Sequence, residues 1–159
     1  MSHNLAPLLV LGWGNRSRGD DALGPLCVEA LRDSLAAPLQ DQVEFLDDYQ
    51  LQIEFALDLV GRTRILLVDA SLNCSAPYEV RSVQPRRDSS ISSHALSPEA
   101  LLQVYVDMQG SAPPPTTLLA IHGEAFALGE PMTDAAQAHL AEAVTWASSW
   151  MAPKSLQIS

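Results

Sequence analysis

The chain has 159 residues, 47 % of them hydrophobic, the size and apolar content of one domain closed around a single core. Its 19 acidic and 9 basic residues give a formal charge of −10, so the attraction to phosphate that drives nucleic-acid binding becomes repulsion; no nucleic acid and no membrane is expected as a partner. No apolar run approaches the roughly 20 residues that span a bilayer. The start, Met1 to Leu5, lacks the basic patch and long apolar stretch of a signal peptide, and a cytoplasmic location is the expectation. The two cysteines, Cys27 and Cys74, have neither disulfide-framework nor zinc-site spacing and are expected as unpaired thiols.

Pro7-Leu8-Leu9-Val10-Leu11, stopped by Gly12, is a short continuous apolar run, the pattern of a strand buried on both faces. After the loop from Trp13 to Gly19, apolar residues recur at helical spacing (Leu23, Leu26, Cys27, Ala30, Leu31), with Asp20 or Asp21 as natural N-cap and Pro25 in the first turn. Val43 to Leu46 alternates like a short strand, and Ile53 to Val60 reads as a helix ended by Gly61. Ile65 to Val68 is a second buried apolar run, ending at Asp69, and Tyr78 to Val83 alternates like a strand near an edge.

The stretch from Gln84 to Ser93 is polar loop. Ser97-Pro98-Glu99 then announces a helix carrying Ala100, Leu101, Val104 and Met108 at helical spacing. A proline-rich connector, Gly110 to Pro115, leads to a last strand, Thr116 to Ile121. Thr133 to Met151 is a final amphipathic helix with its Trp and Ala residues inward. Five strands alternating with four helices predict an α/β fold: a single domain over 1–159 with an open, twisted, mostly parallel sheet flanked by helices on both faces. Residues 1–6 and 152–159 are expected to be flexible ends, and the protein is expected to be a monomer.

Functional residues in such sheets gather beyond the carboxyl ends of the strands. Three polar positions fall where apolar patterns end: the pair Asp20-Asp21, Asp69, and His94 ahead of a helix. Two carboxylates and an imidazole suit zinc, nickel or another borderline divalent ion without any thiolate. Each residue also has a plainer reading: an acid at a helix start caps it, an acid ending a strand bonds the next turn, and a histidine among serines is solvated. Of the other histidines, His3 belongs to the terminus, His139 to the last helix, and His122 ends the final strand, where a core role is the plainer reading.

Several alternatives fail on residues. Gly12-Trp13-Gly14 begins like a dinucleotide-binding turn, but position 17 is serine, and two acids stand where pyrophosphate would sit. A receiver-like, non-enzymatic signalling or binding module also uses an acidic pair and a strand-end aspartate around a divalent ion. It needs a lysine near the last strand, and the only lysine here is Lys154. No Gly-x-Ser-x-Gly elbow and no His-Glu-x-x-His helix is present.

The segment from Leu9 to Pro25, with its Gly12-Trp13-Gly14-Asn15, Gly19-Asp20-Asp21 and Gly24-Pro25, resembles the signature of the hydrogenase maturation endopeptidases. Ile65 to Ala70 and Ser93-His94-Ala95-Leu96 match at compatible distances, so the resemblance covers roughly residues 7 to 150. It implies an endopeptidase that removes the C-terminal extension of a nickel-loaded [NiFe]-hydrogenase large-subunit precursor. It also implies that Asp21, Asp69 and His94 form the catalytic and metal-facing set, with Asp47 and Gln50 contacting substrate. Nickel would be sensed in the substrate, while zinc or cadmium would occupy the site in isolated protein. Where many members carry an Asp-Gly-Gly-Thr-like stretch, this chain has Asp47-Asp48-Tyr49-Gln50-Leu51, a variant resembling members that serve cytoplasmic bidirectional hydrogenases.

Overall fold

Strand β1 (Leu8–Trp13) is buried at all six positions, as a continuous apolar run requires of a strand covered on both faces. It belongs to a computed structural model that describes residues 5–87 and 96–153. The other strands are β2 (Val43–Asp48), β3 (Arg64–Ser71), β4 (Tyr78–Val83) and β5 (Thr116–His122), and they form one sheet in the order β2-β1-β3-β5-β4. The pairings β1–β2, β1–β3 and β3–β5 are parallel; only the edge strand β4 runs antiparallel.

The period-2 alternation of side chains divides each central strand between two cores. Leu8 and Val10 of β1, Leu66 and Val68 of β3, and Leu119 and Ile121 of β5 face a cluster built with α1 (Leu23–Asp33) and α4 (Asp134–Met151). Leu9 and Leu11, Ile65 and Leu67, and Leu118 face the opposite cluster, closed by α2 (Phe55–Asp58) and α3 (Pro98–Gln109). The result is a three-layer α/β sandwich whose parallel strands deliver their carboxyl ends to one edge.

Capping follows the sequence at two helices. Ser97 accepts from the Ala100 amide at 3.0 Å with Pro98 in the first turn, and Thr133 accepts from Ala136 at 3.1 Å. At α1 the expectation fails. A 3-10 turn, Gly19–Ala22, precedes the helix, and Ala22 stands at the cap without a side-chain bond. Both aspartates sit inside that turn, and their carboxylates are engaged elsewhere.

The helix expected over Ile53 to Val60 is a single turn. Ile53 and Leu57 are 55 % and 65 % exposed, so only Ala56, Leu59 and the preceding Leu51 bury fully, too little packing to sustain a longer helix. In α4 the buried positions are Ala136, Ala143, Ala147 and Met151, whereas the tryptophans lie at the margin. Trp146 meets Tyr78 of the edge strand, with ring centroids 6.4 Å apart, and Trp150 lies under the Arg64 guanidinium at 4.5 Å. No helix among the described residues is long and apolar enough to cross a membrane. The expectation of loose ends falls mainly on residues 1–4 and 154–159, outside the described residues; Ala6 accepts a 2.8 Å hydrogen bond from the buried Arg62.

Leu66 is fully buried at the centre of the sheet. Leu66→Ala should cost about 2–5 kcal/mol of unfolding free energy in urea titration, the range for truncating a core leucine; a loss below about 1 kcal/mol would show that this face is not packed as described.

Candidate active site

The register at the carboxyl edge creates room for a site. The last β1–β3 pair is Gly12 with Val68, but β3 runs on through Asp69, Ala70 and Ser71, which pair only with Ala120, Ile121 and His122 of β5. Asp69 therefore emerges one step beyond the last β1–β3 pair, where the turn Gly19–Ala22 is seated. Glycines permit that seating. A Cβ on Gly24 would lie 2.9 Å from the Val68 carbonyl oxygen and overlap the Trp13 carbonyl, so only glycine lets the start of α1 rest on the ends of both strands. Gly14, at φ 150°, lies where any Cβ would collide with the Asp21 carbonyl oxygen.

The acidic pair separates in function. Asp20 is fully buried and accepts from the amides of Glu124 (2.8 Å), Ala125 (3.2 Å) and Thr133 (2.8 Å). The Thr133 hydroxyl also reaches both of its oxygens, at 3.1 and 2.9 Å. Burial alone would raise its pKa; these donors outweigh burial and hold the carboxyl below its usual range. Asp21, half-buried, accepts from the Asn15 amide at 2.7 Å.

Asp69 is the perturbed group. Burial, joined by the negative charge of Asp21, pushes its pKa up to about 7, opposed by a bond from the backbone at Ala70. Two carboxylates from separate elements are thus close enough to repel, an arrangement characteristic of functional sites. Asp69 opens onto a cavity of about 350 Å³ whose wall includes Ser71, Asn73, Cys74, Glu79 and Arg81. Arg81 crosses from β4 to bond Glu99 in the first turn of α3 at 2.6 Å, closing one side of that wall. A larger cavity of about 650 Å³, formed by the Pro113–Pro115 connector with Gln84 and Gln103, has no acid or base in its lining.

Of the residues singled out in the sequence, the structure brings Asp21 and Asp69 together and sends Asp20 away from them. His94 lies outside the described residues, and among the described residues no group of three or more His, Cys, Asp or Glu side chains stands ready to hold a metal. Asp47 pairs in register with Gly12, two strands from β3, and its carboxylate lies 3.8 Å from both Arg16 and Arg32, surface ion pairs outside the Asp69 cavity. Gln50 is exposed in the turn after β2.

His122 directs Nδ1 to the Cys74 carbonyl (2.9 Å), and His139 directs Nδ1 to the His122 carbonyl (3.0 Å); since a carbonyl only accepts, both rings carry their proton on Nδ1. The rings meet edge to face, and His122 ties the exit of β3 to the end of β5. Both cysteines are free. Burial pushes the Cys27 thiol up to about 12, and burial likewise raises Cys74, the reverse of what an activated thiolate requires. Thr133 was not singled out in the sequence, and Asn15 entered only as part of the Gly12-Trp13-Gly14-Asn15 motif, with no role given. Thr133 is readable there only as the start of a helix, and Asn15 acts through its backbone amide, to which residue type gives no clue.

No protein-family model matches this chain, and no curated protein matches it in sequence. Solved structures do. The chain is similar to the hydrogenase maturating endopeptidase HybD from E. coli, at 26 % identity, a TM-score of 0.71 and 88 % of each chain covered. It is similar in fold to the [NiFe] hydrogenase maturation protease HycI from Thermococcus kodakarensis KOD1, with 18 % identity, a TM-score of 0.70 and 92 % of each chain covered. The hydrogenase 2 maturation peptidase from Thaumarchaeota archaeon SCGC_AB-539-E09 shares the fold at 21 % identity and a TM-score of 0.61, over 88 % of this chain and 94 % of that one. The chain thus shares its fold with solved hydrogenase maturation endopeptidases, and it carries the motif series from Leu9 to Pro25 on that architecture.

Proposed function

We propose that this protein is a peptidase that removes the C-terminal extension of a [NiFe]-hydrogenase large-subunit precursor once nickel is in place. The observation that carries the reading is the Asp21–Asp69 pair at the carboxyl edge, where burial, joined by the neighbouring charge of Asp21, raises the pKa of Asp69 to about 7. The named activities of HybD from E. coli and HycI from Thermococcus kodakarensis support it. The variant stretch Asp47 to Leu51 supports a cytoplasmic bidirectional hydrogenase as the source of the precursor, and a cytoplasmic location goes with that partner. The protein acts as a monomer in this reading.

Uncompensated repulsion between two carboxylates is relieved by a divalent cation, so the residues fit one. Asp21 and Asp69 would hold it from the described residues, and His94 completes the set in our reading. Such an ion supplies positive charge that polarises a carbonyl and acidifies water. In the precursor the nickel is part of the substrate, and the same carboxylates would recognise it there; zinc or cadmium are the ions we expect to take the site in isolated protein. What the chain itself contributes is orientation and proton handling. The Asn15 amide fixes one Asp21 oxygen, and Asp69, poised near neutrality, can hold or release a proton beside the cleft that receives the substrate segment. Asp47, paired at long range with Arg16 and Arg32, and exposed Gln50 are proposed to contact the precursor outside that cleft.

The test is cleavage of purified nickel-loaded precursor, followed by its mobility shift. Asp21→Asn, Asp69→Asn and His94→Ala should each slow processing by roughly 10²–10⁴-fold, the range for removing a positioned acid–base group, with the fold retained by circular dichroism. Authentic precursor left intact by the wild type would sink the reading, and full processing by one variant would remove that residue from the site. A second prediction concerns pH. Asp69 keeps a proton in the folded chain between its ordinary value of 3.8 and about 7, where the unfolded chain has released it. Metal-free protein should therefore lose stability as pH rises through that window. Asp69→Asn should flatten this dependence and raise the melting temperature at pH 8; an unchanged profile would show that Asp69 is not the group responsible.

A further inference from the structure

Asp20 lines no part of the Asp69 cavity, yet its carboxylate is fully buried and bonded entirely to a segment more than 100 positions away in sequence. The connection is repeated in the backbone. The Asp20 amide donates to Ala125 (2.8 Å), the Gly19 amide to Glu130 (3.1 Å) and the Gly129 amide to Ser17 (2.7 Å), so the chain from Ser17 to Asp20 is laced to the loop between β5 and α4. That loop presses close: a Cβ on Gly123 would lie 2.8 Å from the Asp20 Cβ. Thr133 links the loop to the helix behind it, because its hydroxyl donates to Asp20 while accepting from the Ala136 amide at 3.1 Å.

Asp21 follows directly in a turn only four residues long. With Asp20 anchored on one side and the Asn15 amide on a carboxylate oxygen at 2.7 Å on the other, Asp21 has little freedom to withdraw from Asp69, although like charge favours withdrawal. Solvated on a free turn, two such carboxylates would separate. A merely stabilising cap would need one local bond, not a buried charge satisfied by three amides and a hydroxyl of a distant loop. We propose that Asp20 and Thr133 form a latch that holds Asp21 against Asp69, making them positioning residues for the acidic site.

The latch rests on the processing reading only for its effect on rate, so it is tested by two readouts. The first is the amide proton of Asn15 by NMR, which reports the Asp21 carboxylate directly. Asp20→Asn turns an amide group toward the loop's donors, and in it the Asn15 proton should shift upfield and exchange faster; Thr133→Val should do the same, and Thr133→Ser should restore the wild-type signal. The second is single-turnover cleavage of nickel-loaded precursor alongside its binding affinity. Asp20→Asn and Thr133→Val should cut the rate roughly 10–100-fold, as loss of a ligand-orienting group does, with affinity unchanged, and Thr133→Ser should recover the rate.

An unchanged Asn15 signal in folded Asp20→Asn or Thr133→Val, or wild-type rates in both, would overturn the latch; so would a lowered melting temperature as the sole effect, which is the mark of a purely structural role. Should Asp20→Asn fail to fold, the valine and serine variants at 133 decide by the same criteria. If the wild type does not cleave authentic precursor, the processing reading fails while the Asn15 signal still decides the latch.

Discussion

The close approach of the start of α1 to the ends of β1 and β3 is the constraint on which the carboxyl edge is built. Backbone meets backbone at Gly24, beside the carbonyls of Trp13 and Val68, and again at Gly14 beside the carbonyl of Asp21. A side chain at either position would lift the turn Gly19–Ala22 away from the sheet. The turn would then no longer hold an acid beside Asp69, which emerges exactly one residue past the last β1–β3 pair. The motif glycines are therefore spacers set at contact distance, and the acidic pair is placed by backbone packing before any side-chain chemistry is considered.

Electrostatics then separates two adjacent residues of the same type. Asp20 meets a set of donors and is held ionised; Asp69, buried and facing the charge of Asp21, has its pKa raised to about 7. A buried charge that finds its donors is a fastening, whereas a carboxylate that finds its like is a site waiting for a cation or a proton. The chain is acidic throughout, at −10, so general attraction for cations is not the distinction. What sets this pair apart is partial burial, which keeps water from screening the repulsion.

The cavity beside Asp69 is walled by the edge strand β4 and by Arg81 joined to Glu99, and its lining includes the last residues of β3, Asp69 to Ser71. Neither cysteine is arranged as a nucleophile, and the histidines of β5 and α4 are occupied in bracing the β3 exit loop. The fold around them is the one shared with HybD from E. coli.

All five strands and the three long helices were legible in the sequence, because their apolar periodicity is a direct consequence of which faces are covered: two for β1 and β3, one for the helices, an edge for Tyr78–Val83. The failures share a physical cause. The short α2, the marginal Trp146 and Trp150, and the missing aspartate cap on α1 depend on how much partner surface each residue meets, which pattern does not encode. By itself the sequence determined that acids would gather at the carboxyl edge, since strand ends and motif spacing are local properties. Pattern alone left Asp20 and Asp21 equivalent and only the resemblance favoured Asp21; the tertiary structure supplies the physical reason, because Asp20 is drawn against Thr133 by donors more than 100 residues further along the chain.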